Sequence, residues 1–262
     1  MPSIGKINKI LELLRENSRY GLSNKEIAET LEIPQSTCYR ILAALKQYDY
    51  VTQRRTDMRY FLGFAHLRFA QALVENSDEA TVAESFLDEL HHLTHETVFY
   101  SKYSVNYCVA MEVRGAVNTR IAVGQGEVMP LYCSAAGKAV LAFLPRKEQE
   151  RILSSVRMET YTDTTITDLT HLENELVEIK RSGIALNRGE FHNGINALAT
   201  PVFDRRGSVT GSITVVGTNT GLSETAMNQY GDAFLKASLA ITKRIGGRFP
   251  EWLAAKGGDN GK

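Results

Sequence analysis

Residues 23–51 read SNKEIAETLEIPQSTCYRILAALKQYDYV and hold two short helical patterns separated only by residues 32–34. The first pattern opens with a capping box, because Ser23 and Glu26 can each accept from the other's backbone N–H. Pro34 prevents one continuous helix and favours a turn or a first helical position. The stretch therefore predicts two helices joined by a tight turn.

The second helical pattern has distinct inner and outer faces. Its apolar side chains follow the i, i+3, i+4, i+7 spacing of a buried face, at Cys38, Ile41, Leu42 and Leu45. The early outer surface is polar and basic, as in a recognition helix that meets base edges. The residues predicted to contact DNA bases or phosphates are Gln35, Ser36, Tyr39 and Arg40, with Thr37 near the DNA backbone. An upstream helical pattern over residues 7–14 would complete a three-helix core.

A basic hairpin is predicted directly after the second helix. Residues 50–52 and 59–62 have the pattern of short strands, and the turn between them carries Arg54 and Arg55. Such a hairpin beside a recognition helix is a wing, and arginines suit phosphates or a narrow minor groove. We therefore predict DNA contacts for these two arginines and for Arg59. A helical bundle with a solvated basic hairpin is the alternative.

The charge distribution places the anionic partner at the N-terminal end. Residues 1–63 hold ten Lys or Arg and seven Asp or Glu, a net charge of +3. The whole chain has 30 of each, so the remaining residues carry 20 basic and 23 acidic side chains. One copy of a domain with a net charge of +3 would bind DNA weakly, because affinity for DNA increases with the number of phosphates that the protein neutralises. We therefore expect a homo-oligomer with two half-site readers.

The composition is that of an ordinary soluble protein. The chain has 262 residues, of which 43% are hydrophobic, and this length has room for two domains. No apolar run approaches the roughly 20 residues of a membrane helix, and the N-terminus lacks the apolar segment of a secretory signal. The three cysteines lie far apart, which suits a reducing cytoplasm and argues against disulfides or a thiolate metal site.

Four segments are predicted along the chain: a winged helix-turn-helix domain over 1–63, a linker helix over 64–80, a second domain over 81–250 and a flexible tail over 251–262. The linker helix has an apolar stripe suited to dimerisation, although it could equally pack on its own domain. The second domain alternates helices (82–93, 134–144, 147–156, 169–181 and from 223) with strands (98–105, 107–113, 119–123, 184–190, 196–204 and 209–217). Helices flanking a mostly antiparallel sheet define an α+β domain.

The sequence offers no catalytic constellation, cofactor motif or metal site. The Gly124–Gly126 segment lacks the third glycine of a dinucleotide loop, and Gly137-Lys138 lacks the rest of a P-loop. His91 and His95 are four residues apart on one helical face but have no acidic third ligand nearby in sequence. For Ser134 and Lys138, a helix cap followed by a solvated or capping lysine is favoured over a nucleophile pair.

Six sequence motifs resemble those of the IclR family of bacterial transcriptional regulators, and the resemblance extends from about residue 6 to residue 247. They are EIAETLEIPQSTCYRILAAL, RYFLGFAHL, GEVMPLYCSAAGKAVLAFL, YTDTTITDL, RSGIALNRGEFHNGINALATPVFD and GSVTGSITVVG. The resemblance implies a winged helix-turn-helix, a linker helix and a GAF-like α+β domain that binds an effector. It also implies dimers, often paired into tetramers, on palindromic double-stranded operators.

The resemblance further implies where an effector would bind. The family's contacts map onto Ala135, Ala136, Asn187, Ala197, Thr214 and Val216, with Met129, Leu131 and Phe191 expected nearby. Family members that take very small keto acids typically have Asp at 187, Cys at 197 and Ser at 214 and 216. This pocket would be less acidic and more apolar, which suits an organic acid larger than pyruvate, such as an aromatic or sugar-derived acid. The acid would be held by the amides of the helix after Ser134, by Asn187 and by Thr214. The alternative is that these positions only pack the core.

Together these features predict a ligand-responsive transcriptional regulator, with repression of a catabolic operon favoured over activation. One alternative is a GAF-like enzyme with an accessory helix-turn-helix, which would need a nucleophile and base that the sequence does not show. Another alternative is an interaction protein that uses its helix pair for protein contacts. Nucleic-acid binding without salt dependence would favour this alternative.

Overall fold

The computed structural model describes residues 4–75, 77–115 and 123–257. The chain forms two compact units, Met1–Asn76 and Ser77–Lys262. The first unit contains α1 (Ile4–Glu16), α2 (Asn24–Thr30), α3 (Gln35–Gln47), β1 (Val51–Gln53), β2 (Tyr60–Leu62) and α4 (Ala65–Glu75).

The first three helices enclose a small apolar core, and the capping box is present at the start of α2. Glu26 donates its backbone N–H to Ser23 Oγ at 3.2 Å, and Ser23 donates its N–H to Glu26 Oε2 at 2.7 Å. The side chains buried between the helices include Ile10, Leu14, Ile27, Cys38 and Leu42. The two strands pair antiparallel, with Val51 opposite Leu62. The predicted winged helix-turn-helix is therefore confirmed.

The second unit is built on one six-stranded sheet with helices on both faces. Its elements are α5 (Asp78–Thr94), β3 (Thr97–Ser104), β4 (Tyr107–Arg114), β5 (Val128–Pro130), α6 (Ala135–Leu141), α7 (Arg146–Ser155), α8 (Leu169–Ser182), β6 (Ala185–Arg188), β7 (Ile195–Phe203), β8 (Val209–Thr218), α9 (Glu224–Arg244) and α10 (Glu251–Gly257). The strand order is β5-β4-β3-β8-β7-β6, and every neighbouring pair is antiparallel. This confirms the predicted α+β class.

Alternation along the strands divides the core between the two faces of the sheet. Phe99 faces the layer of α6, α7 and α8, whereas its neighbours Val98 and Tyr100 face the layer of α5 and α9. In the central pair of strands, Phe99 lies opposite Thr214 and Val98 lies opposite Val215. One face of β3 and β8 therefore meets the start of α6.

The structure differs from the predicted elements at three places within the described residues. Helix α6 ends at Leu141 and not at residue 144, because the next amides bond three residues back, as Phe143 N–H does to Val140 O at 3.0 Å. The short strand β5 was not predicted. The predicted linker helix over 64–80 is interrupted, because α4 ends at Glu75 and α5 begins at Asp78. The predicted strand over 119–123 falls largely on residues 119–122, which lie outside the described residues.

The expected flexible tail from residue 251 is wrong for its first seven residues. They form α10, and Leu253 on this helix is fully buried. A Cβ placed on Gly183 would lie 2.9 Å from Leu253 Cδ2, so the end of α8 packs closely against α10. The apolar contact of Leu253 is the reason that this segment is ordered.

Candidate DNA-binding surface and effector cavity

The predicted DNA-contacting side chains of α3 lie on its exposed face. Gln35, Ser36 and Arg40 are exposed, Tyr39 is 58% exposed and Thr37 is half-buried. Cys38, on the opposite face, is fully buried, and this burial raises the pKa of its thiol to about 11. The spacing therefore orients the helix as predicted, with a polar surface open to a ligand.

The three wing arginines have different surroundings. Arg54 Nη2 lies 2.5 Å from Asp57 Oδ2, and its guanidinium stacks 4.7 Å from the centre of the Phe61 ring. The hydrogen bonds from Arg54 lower the pKa of Asp57 to about 2. Arg59 donates to Glu26 Oε1 at 2.9 Å and to Gly21 O at 2.8 Å.

Arg55 is the wing arginine with no recorded ion pair among the described residues. Its side chain is exposed at the tip of the hairpin. Arg54 and Arg59 stabilise the hairpin and its attachment to α2, whereas Arg55 is available to an external anion.

Helix α4 presents large apolar side chains to solvent. Together with the preceding Phe64, they form what we call the α4 stripe: Phe64 is 72% exposed, Leu67 66%, Phe69 52% and Leu73 68%. Single exposed apolar residues are common, but four large ones within ten residues expose an unusual amount of apolar surface on this segment. Of these four side chains, only Phe69 has an aromatic contact among the described residues, since it stacks on Tyr50 at 5.8 Å.

A cavity of about 460 Å³ opens between the start of α6, the turn before β7 and the strands beneath them. The structure brings eight of the nine predicted effector-contacting residues together around it: Met129, Ala135, Ala136, Asn187, Phe191, Ala197, Thr214 and Val216. Sequence reasoning missed six further lining residues: Phe99, Val123, Glu127, Ser134, His192 and Ile195. His192 directly follows the predicted Phe191, and the two rings are 4.2 Å apart.

Leu131 is the predicted residue that does not line the cavity. It is 2% exposed and belongs to the apolar core beneath α6. A Cβ on Gly137 would lie only 2.5 Å from Leu131 Cα, so the backbone of residue 131 packs directly on the helix. This contact explains both the orientation of Leu131 and the need for glycine at 137.

Thr214 lies in the cavity wall and carries a buried hydroxyl without a hydrogen-bond partner among the described residues. Its side chain is 1% exposed, and Oγ1 has no hydrogen-bond partner among the described residues. Buried polar atoms are nearly always hydrogen-bonded, so an orphaned hydroxyl in a cavity wall points to a missing polar group. Of the three buried polar atoms without a partner among the described residues, only the Thr214 hydroxyl belongs to a residue that lines the cavity.

Asn187 has a structural role in addition to its place in the cavity wall. It is 4% exposed, its Nδ2 donates to Cys133 O, and its Oδ1 accepts the backbone N–H of Glu190 at 3.1 Å. The amide therefore joins the start of α6 to the turn that carries Phe191. Any ligand contact would use only its remaining hydrogen-bonding capacity.

The expectation of a solvated or capping lysine at 138 is wrong. Lys138 is fully buried, and its Nζ lies 2.7 Å from Glu190 Oε2 and 2.7 Å from Glu175 Oε1. Burial raises the pKa of the Glu190 carboxyl, and the Lys138 ammonium opposes this shift. Because α6 packs between the sheet and α8, residue 138 faces these two carboxylates and not solvent.

Ser134 is a helix cap and not an activated nucleophile. Its Oγ accepts the N–H of Gly137 at 2.9 Å and donates to Pro130 O at 2.6 Å. His91, the sequence's best metal candidate, binds Glu96 O through Nδ1 at 2.7 Å. Within the described ranges no group of three or more His, Cys, Asp or Glu side chains could hold a metal ion. None of the helices described is long and apolar enough to cross a membrane.

A winged helix-turn-helix unit combined with an α+β unit that holds a ligand-sized cavity defines a ligand-responsive DNA-binding regulator. Two family models match the chain in this order: the IclR helix-turn-helix domain over residues 3–55, and the bacterial transcriptional regulator IclR C-terminal domain over residues 71–243. The chain therefore belongs to the IclR family of bacterial transcriptional regulators.

Relatives and solved structures agree with this assignment. The HTH-type transcriptional regulator KdgR of Escherichia coli K12 is 28% identical over 93% of this chain and 92% of its own length. The HTH-type transcriptional repressor AllR of Klebsiella pneumoniae is 29% identical over 90% and 87%. Among solved structures, the Thermotoga maritima IclR has a TM-score of 0.72 at 24% identity, covering 93% of this chain and 98% of that chain. The IclR regulator of Alicyclobacillus acidocaldarius has a TM-score of 0.77 at 24% identity, covering 94% and 100%.

Proposed function

We propose that this protein is a cytoplasmic repressor of a catabolic operon whose DNA binding is controlled by a small organic acid. The observation that carries the proposal is the unpartnered Thr214 hydroxyl in the wall of the cavity. One of its relatives, AllR, is a transcriptional repressor, which supports repression over activation. An effector that binds two dimer geometries unequally would shift the population between them and change the spacing of the recognition helices.

The DNA contacts proposed for each protomer come from α3 and the wing. Gln35, Ser36, Tyr39 and Arg40 would meet base edges and phosphates, with Thr37 close to the backbone of the DNA. Arg55 would contact phosphate or the minor groove, because its guanidinium has no recorded ion pair among the described residues. Arg54 and Arg59 would contribute chiefly by holding the wing in place.

Two protomers are proposed to associate through the α4 stripe and to bind a palindromic operator. Burying these apolar side chains in a dimer would remove the exposed patch and give two half-site readers. Pairs of dimers would form a tetramer. The net charge of +3 on residues 1–63 supports an oligomer, since two copies double the number of phosphates neutralised.

The mostly apolar wall of the cavity suits a ligand with an apolar body. A volume of about 460 Å³ is within the range of small-molecule sites. The wall combines apolar groups such as Met129, Phe191 and Val216 with the hydroxyl of Thr214. An aromatic or sugar-derived acid would bury its body against these groups and place an oxygen near Thr214 Oγ1.

Calorimetry tests the effector assignment directly. The titrants are a panel of aromatic and sugar-derived carboxylic acids, and the variants are Thr214→Val and Asn187→Ala. Loss of a hydrogen bond to a bound acid should weaken binding about tenfold in Thr214→Val. Thr200→Val is the matched control, because Thr200 is equally buried but bonds Phe234 O away from the cavity. Unchanged affinity in both cavity variants would overturn the assignment.

An enzymatic role is not part of the proposal. The most plausible nucleophile and base, Ser134 and Lys138, are separately engaged with the backbone of α6 and with Glu190. A Ser–Lys pair would require a direct hydrogen bond between the two side chains. Hydrolysis of any acid or ester in the same panel, lost in Ser134→Ala, would contradict a purely regulatory role.

A further inference from the structure

Five exposed basic side chains cluster at one end of the second unit. Arg205 and Arg206 lie in the turn between β7 and β8, whereas Lys243, Arg244 and Arg248 lie at the end of α9 and just after it. We call these five residues the C-terminal basic patch. They are far apart in sequence and are brought together by the fold.

Direct contacts join the two segments of the patch. Arg248 donates its backbone N–H to Asp204 O at 2.9 Å. A Cβ placed on Gly246 would lie 3.4 Å from Arg205 Nε, so the Arg205 side chain runs alongside the end of α9. A shallow cleft is lined by Arg205, Lys243, Arg244 and the first turn of α5, including Asp78 and Thr81.

The patch is not neutralised within the protein. None of its five cations forms a recorded ion pair with any residue that the structure describes, although Lys102, Arg114, Lys138 and Arg188 all do so in the same unit. Asp78 and Asp204 lie beside the patch, and Glu84 and Asp88 line a second cleft with Arg244 but are themselves paired with Arg114. The Asp204 carboxylate is already bound by the backbone amides of Arg206 and Ser208, both at 2.8 Å.

Only two of the five basic side chains have an evident local role. Lys243 and Arg244 lie in the last turn of α9, where cations offset the negative end of the helix dipole. Arg244 also lies 5.8 Å from the centre of the Phe86 ring. No such contact is recorded among the described residues for Arg205, Arg206 or Arg248. These three side chains are therefore available to an external anion.

The DNA that the first unit binds is itself a polyanion, and it is the anion that we assign to this patch. The cleft includes Asp78, which follows the first unit by two residues in the sequence. The first 63 residues have a net charge of only +3, and phosphate contacts dominate the affinity of proteins for DNA. We propose that the C-terminal basic patch binds the phosphate backbone of DNA and adds to the phosphate contacts of the first unit.

The test compares two triple variants of the full chain that lose the same charge. Arg205→Gln/Arg206→Gln/Arg248→Gln removes the free part of the patch. Lys147→Gln/Arg157→Gln/Lys180→Gln is the control, because these three basic residues are also exposed and have no recorded ion pair among the described residues. Fluorescence anisotropy measures binding to arbitrary-sequence duplexes of about 20 and about 60 base pairs over a range of NaCl concentrations.

We expect the patch variant to reduce the slope of log K against log salt by about 2 to 3 on the long duplex, since each lost phosphate contact removes about 0.9. The change should be smaller on the short duplex, and the control should stay near the wild-type slope on both. Arg40→Ala should weaken binding to both duplexes, which separates failure of the patch from failure of the recognition helix. Equal slopes for the two triple variants would overturn the proposal. It would also be overturned if the patch variant kept the wild-type slope on DNA but lost binding to phosphatidylserine vesicles.

Discussion

Arg59 on the second strand of the wing donates a hydrogen bond to Glu26, the glutamate of the capping box, at 2.9 Å. The same carboxylate accepts the backbone N–H of Ser23. One side chain therefore both caps α2 and fastens the wing to it. This contact and the backbone hydrogen bonds between Leu22 and Tyr60 together hold the wing beside the helix-turn-helix.

Substitution of Arg59 is expected to affect stability, whereas substitution of Arg55 is expected to affect DNA binding. Arg59→Gln should lower the free energy of unfolding by about 1 kcal/mol, because it loses hydrogen bonds to Glu26 and Gly21. Arg55→Gln should leave stability within about 0.5 kcal/mol and reduce the salt slope of DNA binding by about 1. Urea denaturation and anisotropy with an arbitrary-sequence duplex measure the two effects. Identical behaviour of the variants would contradict the division of roles.

The capping box should make the stability of the first unit sensitive to acid. The pKa of Glu26 is lowered, chiefly by the hydrogen bond from the Ser23 backbone. A carboxyl with a lower pKa in the folded state stabilises the fold above its unfolded pKa, and this contribution disappears as pH falls through the folded pKa. Denaturation as a function of pH should therefore show stability falling below about 4.5, the ordinary value for glutamate. Glu26→Gln should remove part of this dependence, and an unchanged pH profile would contradict the prediction.

Lys138 is expected to be among the most sensitive positions of the second unit. Lys138→Met would leave Glu190 buried without its counter-charge and should lower the free energy of unfolding by about 3 to 5 kcal/mol. Lys138→Met/Glu190→Gln should recover part of that loss, because no uncompensated charge then remains at 190. Lys147→Met, at an exposed position on α7, provides the control for the loss of a lysine. Urea denaturation measures all three, and equal effects of Lys138→Met and Lys147→Met would refute the argument.

Two buried threonines should respond differently to loss of the hydroxyl. Thr214→Val should be near neutral or slightly stabilising without ligand, because its Oγ1 has no partner among the described residues. Thr200→Val should cost about 1 kcal/mol, because it removes a hydrogen bond of 3.1 Å to Phe234 O. Thermal denaturation of the ligand-free variants provides the comparison. A larger loss at 214 than at 200 would show that Thr214 has a structural partner.

The α4 stripe should control oligomerisation. Leu67→Asp/Leu73→Asp places two charges on side chains that are 66% and 68% exposed, so the isolated unit should tolerate them. Dimerisation should be lost, and DNA affinity should fall because two half-sites no longer bind together. Sedimentation velocity measures the association state. Val177→Asp, at a residue that is 64% exposed on α8, is the control, and dissociation by both variants would argue against the stripe.

Local patterns predicted the fold well because most elements carry their own signals. The capping box at Ser23, the cap at Ser134 and the left-handed Gly183 after α8 all lie where the sequence places them. The three-residue strand β5 carries no comparable signal. It forms because Cys108 and Met129 pair across a long connection.

The candidate cavity was predictable only where a family resemblance supplied its positions. Phe99 lines it because β3 pairs with β8, a non-local contact that no spacing rule contains. Lys138 was misassigned for the same reason, since its two carboxylate partners are 37 and 52 residues away. Leu131 was misassigned because the orientation of a residue in a turn is set by what packs against it, here Gly137.

Glu190 is held by its amide, its carboxylate and its carbonyl at once. These groups bind Asn187, Lys138 and the Thr165 hydroxyl, which belong to three separate parts of the second unit. The next residue, Phe191, lines the cavity. A ligand too large for the cavity therefore cannot push Phe191 aside alone, because its backbone is anchored one residue earlier. A ligand that moves the backbone at this wall of the cavity must also strain the contacts of Glu190 to α6 and to the segment before α8.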